Sequence, residues 1–185
     1  MHKNCGRGHG GCFGLAKPKQ PAGTFRHVGR HERYGRLLCF RRWLRPWDLC
    51  VYLHNKYPHV QYTGIDIMQE FLAVAGERCA HLPNTSFIHG DFFTTALPAV
   101  DYVLASGSLS YRNTKPRFVF RAITKLFATS RVAFGFNLLR SVKGGPGLIA
   151  TYQPAAIMQH CHTLTTKVAL HQGYFNDDFT VWMYH

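Results

Sequence analysis

Three turns in this sequence follow strand-like segments and contain residues that can bind a polar ligand. They are Asp66 at the end of residues 60–66 (VQYTGID), Gly90-Asp91-Phe92 after residues 86–89, and Ala105-Ser106-Gly107 after residues 101–105. A carboxylate accepts hydrogen bonds from two neighbouring hydroxyl groups at once, which a neutral side chain does less well. Together the three turns predict the rim of one ligand-binding pocket.

The segments that must position these turns alternate between strand and helix patterns. Strands are predicted at residues 37–40, 60–66, 86–89, 101–105 and 131–138, and helices at 48–57, 69–79, 115–128 and 154–161. This alternation predicts an α/β fold with a mostly parallel sheet and helices on both faces. Residues 167–174 and 179–184 predict a closing antiparallel hairpin. Such sheets bind ligands at the carboxyl ends of their strands, where the three turns lie.

Each turn also has a purely structural explanation. Asp66 precedes an apolar helix, so its carboxylate can cap that helix without binding a ligand. Asp91 stands in a Gly-Asp turn and Ser106 in a Ser-Gly-Ser turn, and both are common turn sequences. The pocket is therefore predicted from the order and spacing of the three turns, and from no single residue.

Residues 60–185 resemble the class I S-adenosylmethionine-dependent methyltransferases, which have a Rossmann-like three-layer sandwich fold. The matching segments are YTGIDIMQEFLAVAGER (62–78), FIHGDFF (87–93), DYVLASGSLSYR (101–112) and the closing hairpin, KVALHQGY (167–174) with DDFTVWMYH (177–185). The resemblance covers roughly two thirds of the chain. It implies an enzyme that binds S-adenosyl-L-methionine and transfers the methyl group of this cofactor.

The resemblance also implies a cofactor role for nine residues. It assigns Asp66 to the ribose hydroxyls, Ile67 and Met68 to the adenine faces, Gly90, Asp91 and Phe92 to the adenine edge, and Ala105, Ser106 and Gly107 to the methionine part. Methyl transfer displaces an already activated sulfonium, so the enzyme mainly aligns the acceptor and excludes water. No catalytic side chain is therefore assigned.

The methyl acceptor is expected to be a small molecule. Enzymes that methylate exocyclic amines of nucleobases carry an Asn/Asp-Pro-Pro-aromatic signature after the fourth strand. Here that place is occupied by Ser106-Gly107-Ser108-Leu109, which argues against a nucleobase as the acceptor.

One family motif is missing. The family has a Gly-rich loop after its first strand, because only glycine lets the backbone approach the methionine part closely. The loop is expected at about residues 40–48, where the sequence reads FRRWLRPWD and contains no glycine. The resemblance therefore implies impaired cofactor binding.

A reading-frame hypothesis accounts for the missing glycines. The codons CGG-CGG-TGG followed by C encode Arg-Arg-Trp, but they read GGC-GGT-GGC, three glycines, when shifted by one base. Under this hypothesis residues 41–47 and the segment before them are an out-of-frame reading of a Gly-rich loop. The codons of the gene at residues 41–47 test it.

The charge of the chain is concentrated near its beginning. The 185 residues carry 22 Lys and Arg against 9 Asp and Glu, a net charge of +13 with neutral His, and residues 1–50 account for +9 of it. Residues 1–36 also hold eight of the 17 glycines and show no periodic apolar pattern. We therefore predict a basic irregular arm over residues 1–36 and a methyltransferase-like domain over residues 37–185. The alternative to an enzyme is a nucleic-acid-binding protein that uses the basic arm on a relict fold.

The remaining composition limits the class of protein. No run of 18 or more apolar residues and no secretory signal pattern are found, so no membrane partner is expected. The six cysteines form no tight framework, which suits reduced thiols in the cytoplasm. His2, Cys5, His9 and Cys12 lie close in sequence, but their spacing is shorter than that of structural zinc sites, and no metal site is predicted.

Overall fold

The computed structural model describes residues 35–41, 46–141, 147–173 and 177–185. These residues form four helices and seven strands: β1 (Arg36–Arg41), α1 (Pro46–Lys56), β2 (Gln61–Asp66), α2 (Gln69–Cys79), β3 (Thr85–His89), β4 (Val100–Ser106), α3 (Phe118–Thr129), β5 (Ser130–Leu139), α4 (Pro154–His162), β6 (Val168–Gln172) and β7 (Asp178–Tyr184). The strands make one sheet in the order β3-β2-β1-β4-β5-β7-β6. The predicted α/β fold is confirmed.

The sheet reverses its strand order between β1 and β4. The pairs β1–β2, β1–β4, β2–β3 and β4–β5 are parallel, whereas β7 pairs antiparallel with both β5 and β6. The predicted closing hairpin is therefore confirmed. At the reversal point, Arg41 of β1 pairs with Ser106 of β4. A crevice opens beyond strand ends at such a point, because the connections on its two sides leave in opposite directions.

The sheet has a separate apolar core on each face. Successive side chains of a strand point to opposite faces, so Leu37 contributes to one core and Leu38 to the other. The first core contains Leu49 and Leu53 of α1 together with Cys79 of α2, and the second contains the buried side of α3 and α4. Burial on both faces explains why the central strands are nearly continuous apolar runs.

Two glycines allow large rings to lie flat on the strands. A Cβ atom at Gly135 would lie 2.8 Å from the indole of Trp182, and one at Gly64 would lie 2.7 Å from the ring of Phe87. Both distances are shorter than Cβ contacts in proteins, so a larger residue at either position would force the neighbouring ring to move.

The structure corrects two details of the predicted helices. Helix α3 begins at Phe118 instead of residue 115, because Asn113 accepts a hydrogen bond from the backbone N–H of Lys115 at 2.9 Å and Arg117 has a φ of 55°. In α2 the predicted apolar side is only partly buried: Ala75 and Cys79 are buried, whereas Phe71 and Val74 are exposed.

The predicted basic arm lies outside the described residues, except for Gly35 and Arg36, the latter already in β1. Among the described residues, no helix is long and apolar enough to cross a membrane.

Candidate cofactor site

A cleft of about 150 Å³ opens at the carboxyl ends of β2 and β3. It is lined by Ile65, Asp66, Ile67, Gly90, Asp91, Phe92, Phe93, Ser108, Tyr111, Arg112, Asn113, Lys115 and Phe118. The strands β2 and β3 pair in register, with Asp66 opposite His89. This pairing brings the turns at residues 66–68 and 90–92 together, so Asp66 and Asp91 line the same cleft as the sequence predicts.

Five of the nine residues implied by the resemblance line this cleft. They are Asp66, Ile67, Gly90, Asp91 and Phe92. The other four do not line it: Met68 precedes α2, Ala105 is buried in β4, Ser106 ends β4, and Gly107 follows it. The cleft thus brings together five of the six residues implied for the nucleoside part, all but Met68, and none of the three implied for the methionine part.

The carboxylate of Asp66 is held in place by the backbone that follows it. Its Oδ1 accepts a hydrogen bond from the N–H of Met68 at 2.8 Å, and the residue is only 9% exposed. The backbone of Ile67 is fixed in turn, because its carbonyl oxygen lies 3.0 Å from Nε2 of His89. The predicted capping of α2 by Asp66 is not found, because the N-cap residue of α2 is Met68 and Asp66 instead closes the turn before the helix. This hydrogen bond orients the carboxylate at the edge of the cleft.

The turn at Asp91 is ordered by its own hydrogen bonds. Oδ1 of Asp91 accepts from the N–H of Phe93 at 2.9 Å, and its carbonyl oxygen accepts from the N–H groups of Thr94 and Thr95. Gly90 fits closely here, because a Cβ atom at this position would collide with the hydroxyl of Thr95, which would then have to move. The turn therefore depends on the residue types Gly90 and Asp91 for its shape.

Apolar side chains form the walls of the cleft. Ile67 is 52% exposed at its mouth, and the ring of Phe92 lies 4.6 Å from that of Phe93, which in turn lies 5.1 Å from Phe118. An exposed apolar side chain beside two carboxylates suits a flat ligand that has polar edges.

The opposite wall comes from a segment for which the sequence predicted no role in binding. Ser108, Tyr111 and Asn113 belong to the connection between β4 and α3, which is anchored by a bridge between Tyr111 and Ile149. The Oγ of Ser108 is buried and has no hydrogen-bond partner among the described residues. No sequence pattern marks this wall, because its position depends on a contact with a distant loop.

The turn implied for the methionine part lies beside a polar chain of contacts. Gly107 has a φ of 67°, and its N–H donates to Oδ1 of Asn137 at 2.7 Å. The Nδ2 of Asn137 donates to Oδ2 of Asp178 at 3.5 Å. Burial raises the pKa of Asp178 above its usual value, and the hydrogen bond from Asn137 opposes that rise.

The connection between β1 and α1 is shorter than the sequence predicts. β1 ends at Arg41 and α1 begins at Pro46, so residues 42–45, and not 40–48, join them. These four residues read Arg-Trp-Leu-Arg and contain no glycine. The predicted absence of a Gly-rich loop therefore holds for the shorter connection as well.

The described cysteines are buried thiols. Cys39, Cys50, Cys79 and Cys161 are buried, and burial raises the pKa of Cys50, Cys79 and Cys161, that of Cys161 to about 12. A thiol with a raised pKa is a poor nucleophile and a poor metal ligand. No group of three or more metal-binding side chains occurs in the described part of the chain, and the segment from His2 to Cys12 lies outside it.

Residues 48–129 match the family model described as a methyltransferase domain. This match runs from α1 to the end of α3 and includes both carboxylates of the cleft. No curated protein sequence matches the chain.

Solved methyltransferase structures share the fold. The chain matches the S-adenosylmethionine-dependent methyltransferase SibL in its apo form with a TM-score of 0.63, 17% identity, and coverage of 82% of this chain and 50% of that one. It matches an O-methyltransferase family 2 protein from Planctomyces limnophilus DSM 3776, in complex with apigenin, with a TM-score of 0.62 and 13% identity. That match covers 82% of this chain and 51% of the other. It also matches the N-methyltransferase NodS from Bradyrhizobium japonicum WM9, in complex with S-adenosyl-L-homocysteine, with a TM-score of 0.59 and 14% identity. That match covers 82% of this chain and 78% of the other. The chain thus spans about half the length of the first two proteins.

Proposed function

We propose that this chain, which has the Rossmann-like fold of the class I S-adenosylmethionine-dependent methyltransferases, is itself an S-adenosylmethionine-dependent methyltransferase. One observation carries the proposal: Asp66 and Asp91 line the same cleft at the carboxyl ends of adjacent parallel strands. When bound, the cofactor supplies a methyl group on a positively charged sulfonium.

The residues of the cleft fit the nucleoside part of this cofactor. Asp66 is suited to accept hydrogen bonds from the ribose hydroxyls, and Asp91 to accept one from the adenine amino group. Ile67 and Phe92 provide apolar surface for the ring. The buried Oγ of Ser108, which has no partner among the described residues, supports a polar ligand in the cleft.

The methionine part has less support from this chain. A cleft of about 150 Å³ is smaller than the 300 Å³ or more that is typical of ligand pockets. We infer that Ala105, Ser106 and Gly107 lie beside the methionine part, because Ser106 pairs with Arg41 at the strand-order reversal. The connection at residues 42–45 offers no glycine for close backbone approach. We therefore propose that the chain binds the cofactor weakly.

We further propose a small-molecule methyl acceptor and a cytoplasmic location. The first is supported by the structural neighbour solved in complex with apigenin. The second is supported by the four buried thiols. The division into an arm over residues 1–36 and a domain over residues 37–185, and nucleic-acid binding by that arm, stay predictions.

Calorimetric titration of the full chain with S-adenosylhomocysteine tests the proposed function. Asp66→Asn retains an oxygen for the N–H of Met68 but loses the charge, whereas Asp66→Ala loses both. We expect both variants to weaken binding by tenfold or more, since a charge-assisted hydrogen bond contributes about 1.5–3 kcal/mol. Glu77→Ala, which removes an exposed carboxylate of α2 outside the cleft, serves as the matched control.

Two results would contradict the proposal. One is a chain that is folded by circular dichroism but gives no heat with S-adenosylhomocysteine at millimolar concentration. The other is binding that Asp66→Asn and Glu77→Ala change equally. If only Asp66→Ala weakens binding, the side chain acts by holding the turn at Met68 and does not contact the ribose.

A further inference from the structure

A second and larger groove, of about 690 Å³, runs along the outer side of α3. We call it the α3 groove. It is lined by Phe93, Pro116, Arg117, Phe120, Arg121, Thr124, Lys125, Ala128 and His160. Nothing in the proposed methyl transfer uses it, although Phe93 lines both the α3 groove and the cofactor cleft. The α3 groove therefore needs an explanation of its own.

The α3 groove is positively charged. Arg117, Arg121 and Lys125 are four residues apart, so they form a row on one side of α3 with a rise of about 6 Å between neighbours. None of the nine described residues that line the groove is acidic. The ion pair found among the described residues, Arg140 with Asp177, lies elsewhere. The row of cations thus has no carboxylate partner within the groove.

Aromatic rings lie within cation–π distance of the two arginines. The guanidinium of Arg121 lies 5.7 Å from the ring centre of Phe93, and that of Arg117 lies 5.8 Å from the ring centre of Phe120. The rings of Phe120 and His160 are 5.0 Å apart. Planar guanidinium groups and rings side by side form a surface on which flat, anionic ligands can stack.

The shape and charge of the α3 groove limit the kind of ligand. Small-molecule sites enclose most of their ligand, whereas this groove runs along the surface of α3, with Phe93 and His160 completing its lining. A row of cations over aromatic rings suits a chain with repeated negative charges and flat rings between them. We propose that the α3 groove binds single-stranded nucleic acid, with its phosphates at Arg117 and Arg121 and a base against Phe120.

This proposal is independent of the proposed methyl transfer. The contacts proposed for the nucleic acid are made by Arg117, Arg121 and Phe120, and none of these three lines the cofactor cleft, although Phe93 lines both. It also differs from nucleic-acid binding by the predicted arm, because residues 1–35 are the same in every variant compared below and Arg36 is changed only in the control.

Fluorescence anisotropy with a labelled 12-nucleotide oligouridylate and the full chain tests the proposal. Each phosphate contact on a single strand contributes about 0.7 to the slope of log K against log salt, so Arg117→Gln with Arg121→Gln should lower that slope by about 1.4. At 0.1 M salt we expect roughly tenfold weaker binding. Lys125 is left unchanged, because its Nζ donates to the carbonyl of Phe93 at 2.7 Å.

The matched control replaces two arginines that lie outside the α3 groove. Arg36 and Arg131 are exposed, and they lie at the beginnings of β1 and β5. Their double change to glutamine should leave the affinity within twofold and the slope unchanged. Equal effects of the two double variants would overturn the proposal, because the binding would then follow net charge alone.

Two further measurements separate nucleic acid from another polyanion. Phe120→Leu should weaken binding roughly fivefold with an unchanged salt slope, since base stacking is lost but no charge is. A polyglutamate of equal charge should fail to displace the oligouridylate. If Phe120→Leu binds normally, or if polyglutamate competes as well as unlabelled oligouridylate, the nucleic-acid assignment is wrong and an acidic protein segment takes its place.

Discussion

The backbone N–H of Gly90 donates to the carbonyl oxygen of Asp66 over 3.0 Å, just beyond the last paired residues of β2 and β3. This bond extends the strand pairing into the two turns. It explains how residues about 25 apart in the sequence meet at one cleft. The position of Asp91 relative to Asp66 thus depends on backbone geometry, and the side chains need no direct contact.

The collision at Gly90 gives a test of this arrangement. Gly90→Ala places a methyl group against Thr95, and we expect a loss of about 1–3 kcal/mol in the free energy of unfolding, as is usual for overpacking. Thr95→Ala added to Gly90→Ala should recover most of that loss. Urea unfolding measures both variants. A double variant no more stable than Gly90→Ala would show that the turn fails for another reason.

The backbone at Arg117 predicts a stabilising substitution. Arg117 precedes α3 with a φ of 55°, a conformation that disfavours most side chains. Arg117→Gly should raise the free energy of unfolding by about 1 kcal/mol, because glycine adopts this φ without strain. Arg121→Gly, four residues along in the same helix, should lower it by about 1 kcal/mol. Equal destabilisation by both changes would contradict the strain at Arg117.

The raised pKa of Asp178 predicts how stability changes with pH. A carboxyl group with a higher pKa in the folded state than in the unfolded state stabilises the fold below its unfolded pKa, and this contribution is lost as the pH rises through the folded pKa. Asp178→Asn should therefore be more stable than the parent chain at pH 7, with a flatter dependence of stability on pH above about 4.

Glu77→Gln is the control for Asp178, because it removes the charge of an exposed carboxylate on α2. Asp177 is unsuitable as a control, because its charge also raises the pKa of Asp178. Thermal unfolding between pH 4 and pH 8 measures all three proteins. If the stability of Asp178→Asn and that of the parent chain change with pH in the same way, burial of this carboxyl group has no energetic effect.

The buried thiols predict slow modification. In a variant with Cys5→Ser and Cys12→Ser, the four remaining cysteines are the described ones; all four are buried, and burial raises the pKa of Cys50, Cys79 and Cys161. We expect Ellman's reagent to modify fewer than one thiol per chain within minutes in buffer, and about four in denaturant. Rapid modification of the folded variant would contradict the burial of these side chains.

The sequence predicted most of the elements because their patterns are local. Apolar runs and helical spacing are set by neighbouring residues, so β1, β2 and α2 were found within one or two residues of their bounds. The start of α3 was missed because it depends on the turn at Asn113 and on the φ of Arg117, which no periodicity shows. Phe71 and Val74 fit the apolar pattern of α2 but remain exposed, because the spacing of apolar residues does not show which part of a helix another element covers.

The candidate site was predictable in part for a related reason. Asp66 and Asp91 follow strands, and the pairing of parallel strands is enough to bring them together. Ser108 and Lys115 reach the cleft only because Tyr111 is held against Ile149, a contact between residues distant in sequence. The α3 groove was not predicted either, because its row of cations meets Phe93 only after the fold has formed.

The place of β7 between β5 and β6 affects the order in which the protein is completed. Because synthesis proceeds toward the carboxyl terminus, β5 and β6 leave the ribosome before residues 178–184, and until then each lacks its antiparallel neighbour. β5 is a long apolar strand, and an open edge of this kind readily pairs with another chain. The late insertion of β7 therefore also ends a period in which the nascent protein is prone to aggregate.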